Sequence, residues 1–307
     1  MLKAVVFFMC MIASIASAQK PVVLVVPFPP GGPTDQVARL MQKTLGQELN
    51  RPVVIEHRAG AGGDIASAYV SKWSSPDPVI LLQSSSYAIK SSLQSQSAQW
   101  NDSRIVPLVY MGKVPMIMAV SPQSQLINLA SWSKLDSTKP INWGSAGVGT
   151  MSHLVGAVFK DKIKKNLIHI PYRGSSPLAV DLMANHVEVA FLTATPAEIQ
   201  MIKNNQIIAV ATSASHRIEG LDKLPTFREL GLESVNYYNW WVLLTSQQVN
   251  ADDQKKIQSA MIKILLDKQT GALYQELGLE IDPRPANQAS MLKEIHKYQE
   301  VNQLLKD

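Results

Sequence analysis

The chain has 307 residues, 46% of them hydrophobic and 17% charged, with a formal charge of +5. It is too apolar for a disordered chain and long enough for about two packed domains. The basic excess is mild and spread along the chain, and its densest stretch, 160–165, has no interleaved aromatics, so nucleic acid is excluded as a partner.

Lys3 precedes an apolar run from Ala4 to Ile15 that ends in Ala16-Ser17-Ala18, a small-x-small pattern. The run is shorter than the roughly 20 residues that span a bilayer. It reads as a secretory signal, residues 1–18, cleaved after Ala18 to leave a soluble exported protein. Cys10 is the single cysteine and leaves with the signal; losing Lys3 takes the formal charge from +5 to +4. The mature chain then has no disulfide, no thiolate nucleophile and no cysteine metal ligand.

Residues 22–26 have the composition of a doubly buried strand. Pro27-Phe28-Pro29-Pro30-Gly31-Gly32 halts it, and a helix is expected from Pro33, which needs no N–H at a first helical position, with Asp35 in the first turn. The unit repeats. Residues 52–56 read as strand, 57–63 as a glycine loop and Asp64 as the cap of a helix; residues 78–82 read as a third strand delivering Ser84-Ser85-Ser86 to another helix start. Residues 88–104 are Ser/Gln-rich and read as surface helix and loop. The apolar run 106–120 is long enough to leave one domain for another.

Beyond it come strand 141–143 with the loop 144–153, strand 167–171 with Tyr172-Arg173-Gly174-Ser175-Ser176, and strand 187–192 with Thr193-Ala194-Thr195. Thr195-Pro196-Ala197-Glu198 has the form of a capping box with Pro at the first helical position. Residues 207–212 read as strand and 224–231 as a short helix. The aromatic run 237–244 is the return crossover, in which Trp240 and Trp241 must point to opposite faces. Residues 257–266 and 291–305 have helical periods. Alternating strands and helices imply a largely parallel sheet, which takes ligands at the carboxyl ends of its strands, where all these loops lie.

The chain lacks G-x-S-x-G, H-E-x-x-H and G-x-x-x-x-G-K-[ST], and neither Gly60-Ala61-Gly62 nor Gly147-Val148-Gly149 has the third glycine of a dinucleotide fingerprint. Its six histidines have no metal-ligand spacing. His153 stands at a helix start facing the cleft, where it can donate to a ligand. Small side chains and helix-start N–H groups gathered on one rim suit a carboxylate, held without the desolvation cost of a buried salt bridge. Arg58 and Arg173 are the cations nearest these loops.

The segments 26–35 (Val-Pro-Phe-Pro-Pro-Gly-Gly-Pro-Thr-Asp) and 56–63 (Glu-His-Arg-Ala-Gly-Ala-Gly-Gly) resemble the paired N-terminal signatures of the Bug-type extracytoplasmic solute receptors, the binding proteins of tripartite tricarboxylate transporters. Residues 147–154, Pro171-Tyr172-Arg173-Gly174, and Leu224-Pro225-Thr226 with Glu229-Leu230-Gly231 follow in the family's order and spacing. The chain departs from the pattern at Pro76-Asp77-Pro78-Val79-Ile80 and at Leu192-Thr193.

The resemblance implies an α/β, type II periplasmic-binding-protein fold of two α/β lobes joined by two crossing strands. Lobe 1 would comprise residues 19–112 and 240–307, and lobe 2 residues 113–239. It implies a periplasmic monomer that captures a small mono- or dicarboxylate and hands it to a membrane permease, with no cofactor, no metal and no catalysis. The ligand-binding residues carried over are Phe28, Gly31, Gly32, Gly62, Ser84 and Ser85 in lobe 1, and Ser145, Thr150, His153, Arg173, Gly174 and Thr193 in lobe 2. Two other readings keep the scaffold: a receptor presenting its ligand to a sensor kinase, and an exported enzyme, such as a lyase with His153 as base.

Overall fold

A computed structural model describes residues 20–94, 104–133, 136 and 138–305; the signal, Cys10 and the cleavage point after Ala18 lie outside them, as does the Ser/Gln-rich sequence past Gln94. In chain order the first unit is β1 (Val22–Val26), α1 (Pro33–Glu48), β2 (Val53–His57), α2 (Asp64–Ser71), β3 (Val79–Ser84) and α3 (Ser86–Gln94). The long strand β4 (Ile105–Val120) and a short α4 (Leu129–Ser133) lead to the second unit. That unit is β5 (Ile141–Ser145), α5 (Met151–Ile163), β6 (Leu167–Pro171), α6 (Ser175–Met183), β7 (Val189–Thr193), α7 (Pro196–Lys203) and β8 (Ile208–Thr212). The chain returns through β9 (Tyr238–Ser246) and closes with α8 (Ala251–Leu266), α9 (Lys268–Glu276), β10 (Glu280–Pro285), α10 (Gln288–Gln299) and a 3-10 turn at Asn302–Leu305.

Each unit has the same parallel centre. β1 lies between β2 and β3, and β5 between β6 and β7. The remaining strands correct the expectation of a largely parallel sheet. β4 leaves the first unit as β9 returns to it, so the two run side by side in opposite directions, and β3 pairs antiparallel with β9. The first half of β4 also pairs antiparallel with β10, and Met116–Val120 pairs antiparallel with β7 and β8. At about 3.3 Å per residue β4 spans about 50 Å, enough to be a strand of both lobes.

Successive residues of these strands feed opposite faces. Leu81, Val242, Met118 and Phe191 belong to one continuous core; Leu82, Leu243, Ile117 and Leu192 belong to the other. Trp240 and Trp241 divide in the same way: Trp240 Nε1 donates to Tyr298 Oη (3.0 Å) on one face, and Trp241 Nε1 to Thr34 Oγ1 (3.1 Å) on the other.

Several local expectations change. Gly63 caps α2, and Asp64 is its first residue, paired with Lys90 (2.9 Å). Thr195 caps α7 with Pro196 next, but its hydroxyl donates to the buried Glu198 carboxyl, so no side-chain cap to the backbone forms. Burial pushes the Glu198 carboxyl up to about 7, and the hydroxyl goes where a buried acid needs a donor. At 224–231 the capping contacts exist, Thr226 N–H to Glu229 Oε2 (2.8 Å) and Glu229 N–H to Thr226 Oγ1 (3.1 Å), yet no helix follows. Thr226 is held in a bridge to Thr212, and the chain closes a single turn with i to i+3 bonds. The elements α4, α9 and β10 went unanticipated; β10 carries two prolines, tolerable where it pairs on one side only.

Gly112 marks a register shift in β4: its φ is 147°, and an added Cβ would lie 2.4 Å from the Glu280 carbonyl oxygen. Gly231 has φ 76° and open space around it. Urea unfolding should separate strain from clash: Gly231→Ala is expected to cost about 1 kcal/mol and Gly112→Ala about 2 kcal/mol more.

Candidate functional site

The carboxyl ends of the parallel strands turn into helices, and these turns meet between the two halves. Gly32, extended at φ −83° and ψ 174°, caps α1, and Pro33 follows. The Thr34 N–H then has no acceptor among the described residues. Asp35 organises the loop before it: its carboxylate accepts from Gly31 N–H, Arg39 Nε and His57 Nε2, each at 2.8 Å. Burial acts to raise its pKa, but these donors prevail and hold it below the usual carboxylate range.

The turn into α3 is satisfied differently. Gln83, fully buried, accepts from Ser84 N–H (2.9 Å) and Ser86 Oγ (3.2 Å), and donates to Ser67 Oγ (3.1 Å) and the Gly63 carbonyl (3.3 Å). Ser85 N–H donates to the Trp240 carbonyl (2.9 Å) and its hydroxyl to Asn239 Oδ1 (2.7 Å). The amides of Ser84 and Ser85, which lead into α3, are therefore spent inside the protein.

In the other half Thr150 caps α5, accepting from His153 N–H (3.4 Å) and donating to the Gly147 carbonyl (2.7 Å). Beneath this loop three rings stack: Trp143 on His169 (centroids 4.3 Å) and His169 on His153 (4.1 Å, 8° between planes). Burial and the neighbouring His169 push His153 down to about 3; burial and Lys160 push His169 down to about 4. Both are neutral at neutral pH. His153 Nδ1 accepts from Gly149 N–H (3.2 Å), while Ser145 Oγ accepts from Gly147 N–H (3.2 Å) and lies 2.6 Å from His169 Nε2. Ser152 accepts from Ala146 N–H (3.2 Å) and donates to the Phe191 carbonyl (2.6 Å). No acceptor among the described residues takes the N–H groups of Met151, Ser152 or Ser175, which open α5 and α6.

These turns enclose an inner cavity with ≈ 40 Å³ of space for the centre of a water-sized sphere, room for about three waters or one carboxylate group. Phe28, Gly32, Thr34, Ser84 and Asn239 line it from one side and Thr150, Met151, Ser152, Ser175 and Thr193 from the other. Among the described residues no ionisable side chain lines it. Phe28 and Ala146 also wall an outer compartment of ≈ 200 Å³ by the same measure, lined by Gly62, Lys90 and Arg173. The rims touch around it: Ser176 Oγ donates to the Pro30 carbonyl (3.3 Å), and a Cβ on Gly62 would stand 2.6 Å from the Val148 carbonyl oxygen.

Of the residues singled out from the sequence, Phe28, Gly32, Ser84, Thr150 and Thr193 line the inner cavity. Gly62 and Arg173 line the outer one, Arg173 with its side chain exposed. Gly174 caps α6 and abuts Pro29, where a Cβ would lie 2.8 Å from Pro29 Cδ. Gly31, Ser85, Ser145 and His153 lie outside both linings and hold the loops from behind, through their hydrogen bonds to Asp35, Asn239, Gly147 and Gly149. Arg58 is engaged with Glu56 and stacked over Tyr69. Thr34, Met151, Ser152, Ser175, Asn239 and Lys90 were missed. Asn239, the one amide in the aromatic run of β9, was the legible signal among them.

The fold is that of a two-lobed binding protein, and the cavity lies between its halves. Residues 37–300 match the family described as tripartite tricarboxylate transporter family receptor. The chain belongs to this family, one of periplasmic substrate receptors and not of enzymes. It is 31% identical over 229 residues to BugT of Bordetella pertussis, covering 73% of this chain and 70% of that protein. The periplasmic binding protein BugD superposes with a TM-score of 0.84 at 26% identity, over 93% of this chain and 97% of BugD. Two Rhodopseudomonas palustris proteins share the fold: MatC with bound malate (TM-score 0.79, 21% identity, 92% and 99% coverage) and a second with adipate (0.84, 22%, 93% and 97%). No helix among the described residues is long and apolar enough to cross a membrane.

The stacked imidazoles give a pH dependence of known sign. Their folded pKa values lie below the ordinary 6.5, so between those values the unfolded chain binds more protons, and stability is full above about pH 6.5 and falls as pH drops toward 4. Urea midpoints from pH 7 to pH 4.5 are expected to fall less steeply in a His153→Gln/His169→Gln variant than in the wild type. Gly62→Ala is expected to hold the rims apart, with a larger radius of gyration in X-ray scattering, while both halves keep their helical circular dichroism.

Proposed function

We propose that this protein is exported, by cleavage after Ala18, and captures a small organic acid between its lobes for delivery to a membrane permease of the tripartite tricarboxylate type. Lobe 1 is taken as residues 19–112 and 240–307 and lobe 2 as 113–239, hinged on β4 and β9. The single observation that carries the reading is the inner cavity: helix starts from both sides bring unspent N–H groups and hydroxyls to one small space without any lining charge. Such a space attracts an anion through N–H groups at the positive ends of helix dipoles. It releases the anion without breaking a desolvated ion pair.

In this reading Thr34, Met151, Ser152 and Ser175 give the amides, with Thr150 and Ser84 beside them, and water fills what the acid leaves. Gly31, Ser85, Ser145 and His153 set the loops. A ligand longer than one carboxylate group extends past Phe28 toward Arg173. The malate and adipate bound by the two R. palustris proteins support a mono- or dicarboxylate of modest length.

Calorimetry with a panel of such acids at low and high ionic strength tests it. At least one acid is expected to bind one-to-one, with an affinity that changes less than about 3-fold with salt, because no exposed cation carries the contact. If no acid binds, the reading fails; if binding collapses with salt, the anion sits on Arg173 or Lys90 at the rim instead.

A further inference from the structure

We infer that a groove behind the hinge sets the balance between the open and closed forms of the protein, by acting as a stop that favours and limits opening. The inference rests on the lobes hinging on β4 and β9, and not on the identity of the ligand. Along β4 and β7 consecutive residues face opposite ways. Met116 and Thr193 line the inner cavity, while Pro115 and Ala194 line a second space, with ≈ 380 Å³ for the centre of a water-sized sphere. Gln275, Gly278 and Leu279 wall it from lobe 1, and Ile199, Ile218 and Glu219 from lobe 2. Cleft and groove therefore lie on opposite sides of the strands that join the lobes. In this structure the rims of the cleft touch and the groove behind them stands open.

Each wall is tied to its own lobe. The buried Tyr274 hydroxyl near the end of α9 lies 2.8 Å from Thr44 Oγ1 on α1, and Gly278 N–H donates to the Gln275 carbonyl (2.8 Å) to close the turn that follows. Facing it, Ser215 N–H donates to Tyr238 Oη (2.7 Å) and Arg217 Nε to Glu229 Oε1 (3.1 Å), so the segment that carries Ile218 and Glu219 moves with lobe 2. At the base of the groove Gly278 rests on lobe 2: a Cβ there would stand 2.7 Å from the Ala194 carbonyl oxygen. With that contact as a fulcrum, a rotation that parts the rims brings the two walls together. Ile199 and Ile218, half-buried now, then lose water against the end of α9, which stabilises the open form. Once the walls meet, opening stops. Apparent affinity scales with the fraction of ligand-free protein that is closed, so whatever keeps the walls apart tightens binding without touching the cleft.

The test wedges the groove from one wall or the other with Gln275→Trp or Glu219→Trp, both at exposed positions, and uses Glu219→Gln as the control for charge. In X-ray scattering without ligand, the wedged variants are expected to have a smaller radius of gyration than the wild type. Calorimetry with the straight-chain mono- and dicarboxylic acids of two to six carbons is expected to show any acid that the wild type takes bound about 3- to 10-fold tighter by the variants. The ceiling is about 10-fold where about a tenth of the ligand-free wild type is closed. Glu219→Gln is expected to change neither quantity. A wedged variant that folds, by circular dichroism, and keeps the wild-type radius of gyration, or binds an acid no tighter, overturns the inference. If no acid binds any of these proteins, the carboxylate reading falls and the scattering alone decides the role of the groove. The two wedges stand on separate walls, so either one decides where the other does not fold.

Discussion

The structure depends on the N–H groups that a helix leaves unpaired in its first turn. Each must find an acceptor or stay in contact with something polar. Here the turns into α1, α3, α5 and α6 are directed at one space between the lobes, and the protein itself pairs several of the donors that lead into them. Asp35 takes Gly31, Gln83 takes Ser84, Ser145 takes Gly147 and His153 takes Gly149. Among the amides left without an acceptor among the described residues are those of Thr34, Met151, Ser152 and Ser175, which line the cavity. In the proposed function the recognition surface is what this internal pairing leaves over, an uncharged surface that attracts an anion through its N–H groups.

The same pairing explains residues that stand near the site without entering it. His153, His169 and Trp143 form a neutral stack under the α5 loop, and their neutrality is what lets His153 Nδ1 act as an acceptor. Buried Gln83 bridges the glycine loop at Gly63 to the start of α3. Closure makes a different demand, on space. Gly62 and Gly174 stand where a β-carbon would strike the opposite rim, so the halves can approach to backbone contact.

Much of this was legible in the sequence because strand composition and loop chemistry are local. The run 22–26, the Pro-Gly turn after it and the crossovers at 106–120 and 237–244 each declared themselves. The short helix at 224–231 failed because a real capping pattern fixes one turn only, and Thr226 is drawn into a bridge with Thr212 that no local signal encodes. Direction failed likewise: antiparallel pairing of β4 with β9 follows from where the chain travels, not from what either strand contains. Within the site, residue type identified loops better than roles. Ser85 and Ser145 have the right chemistry but turn inward to Asn239 and His169, partners far away in sequence. Asn239 stood out as the one amide in an aromatic run, but that run declares a strand and nothing in it ties the amide to the cleft.

The most direct test of the central claim is to follow backbone amide protons by NMR while a bound acid is titrated in. The amides of Thr34, Met151, Ser152 and Ser175 are expected to move downfield together as they donate to the carboxylate, while the Arg173 guanidinium and Lys90 ammonium change little at the inner site. If those four amides stay where they are and the largest changes fall on Arg173 and Lys90, the acid is held by charge at the rim, and recognition by uncharged helix-start donors is contradicted.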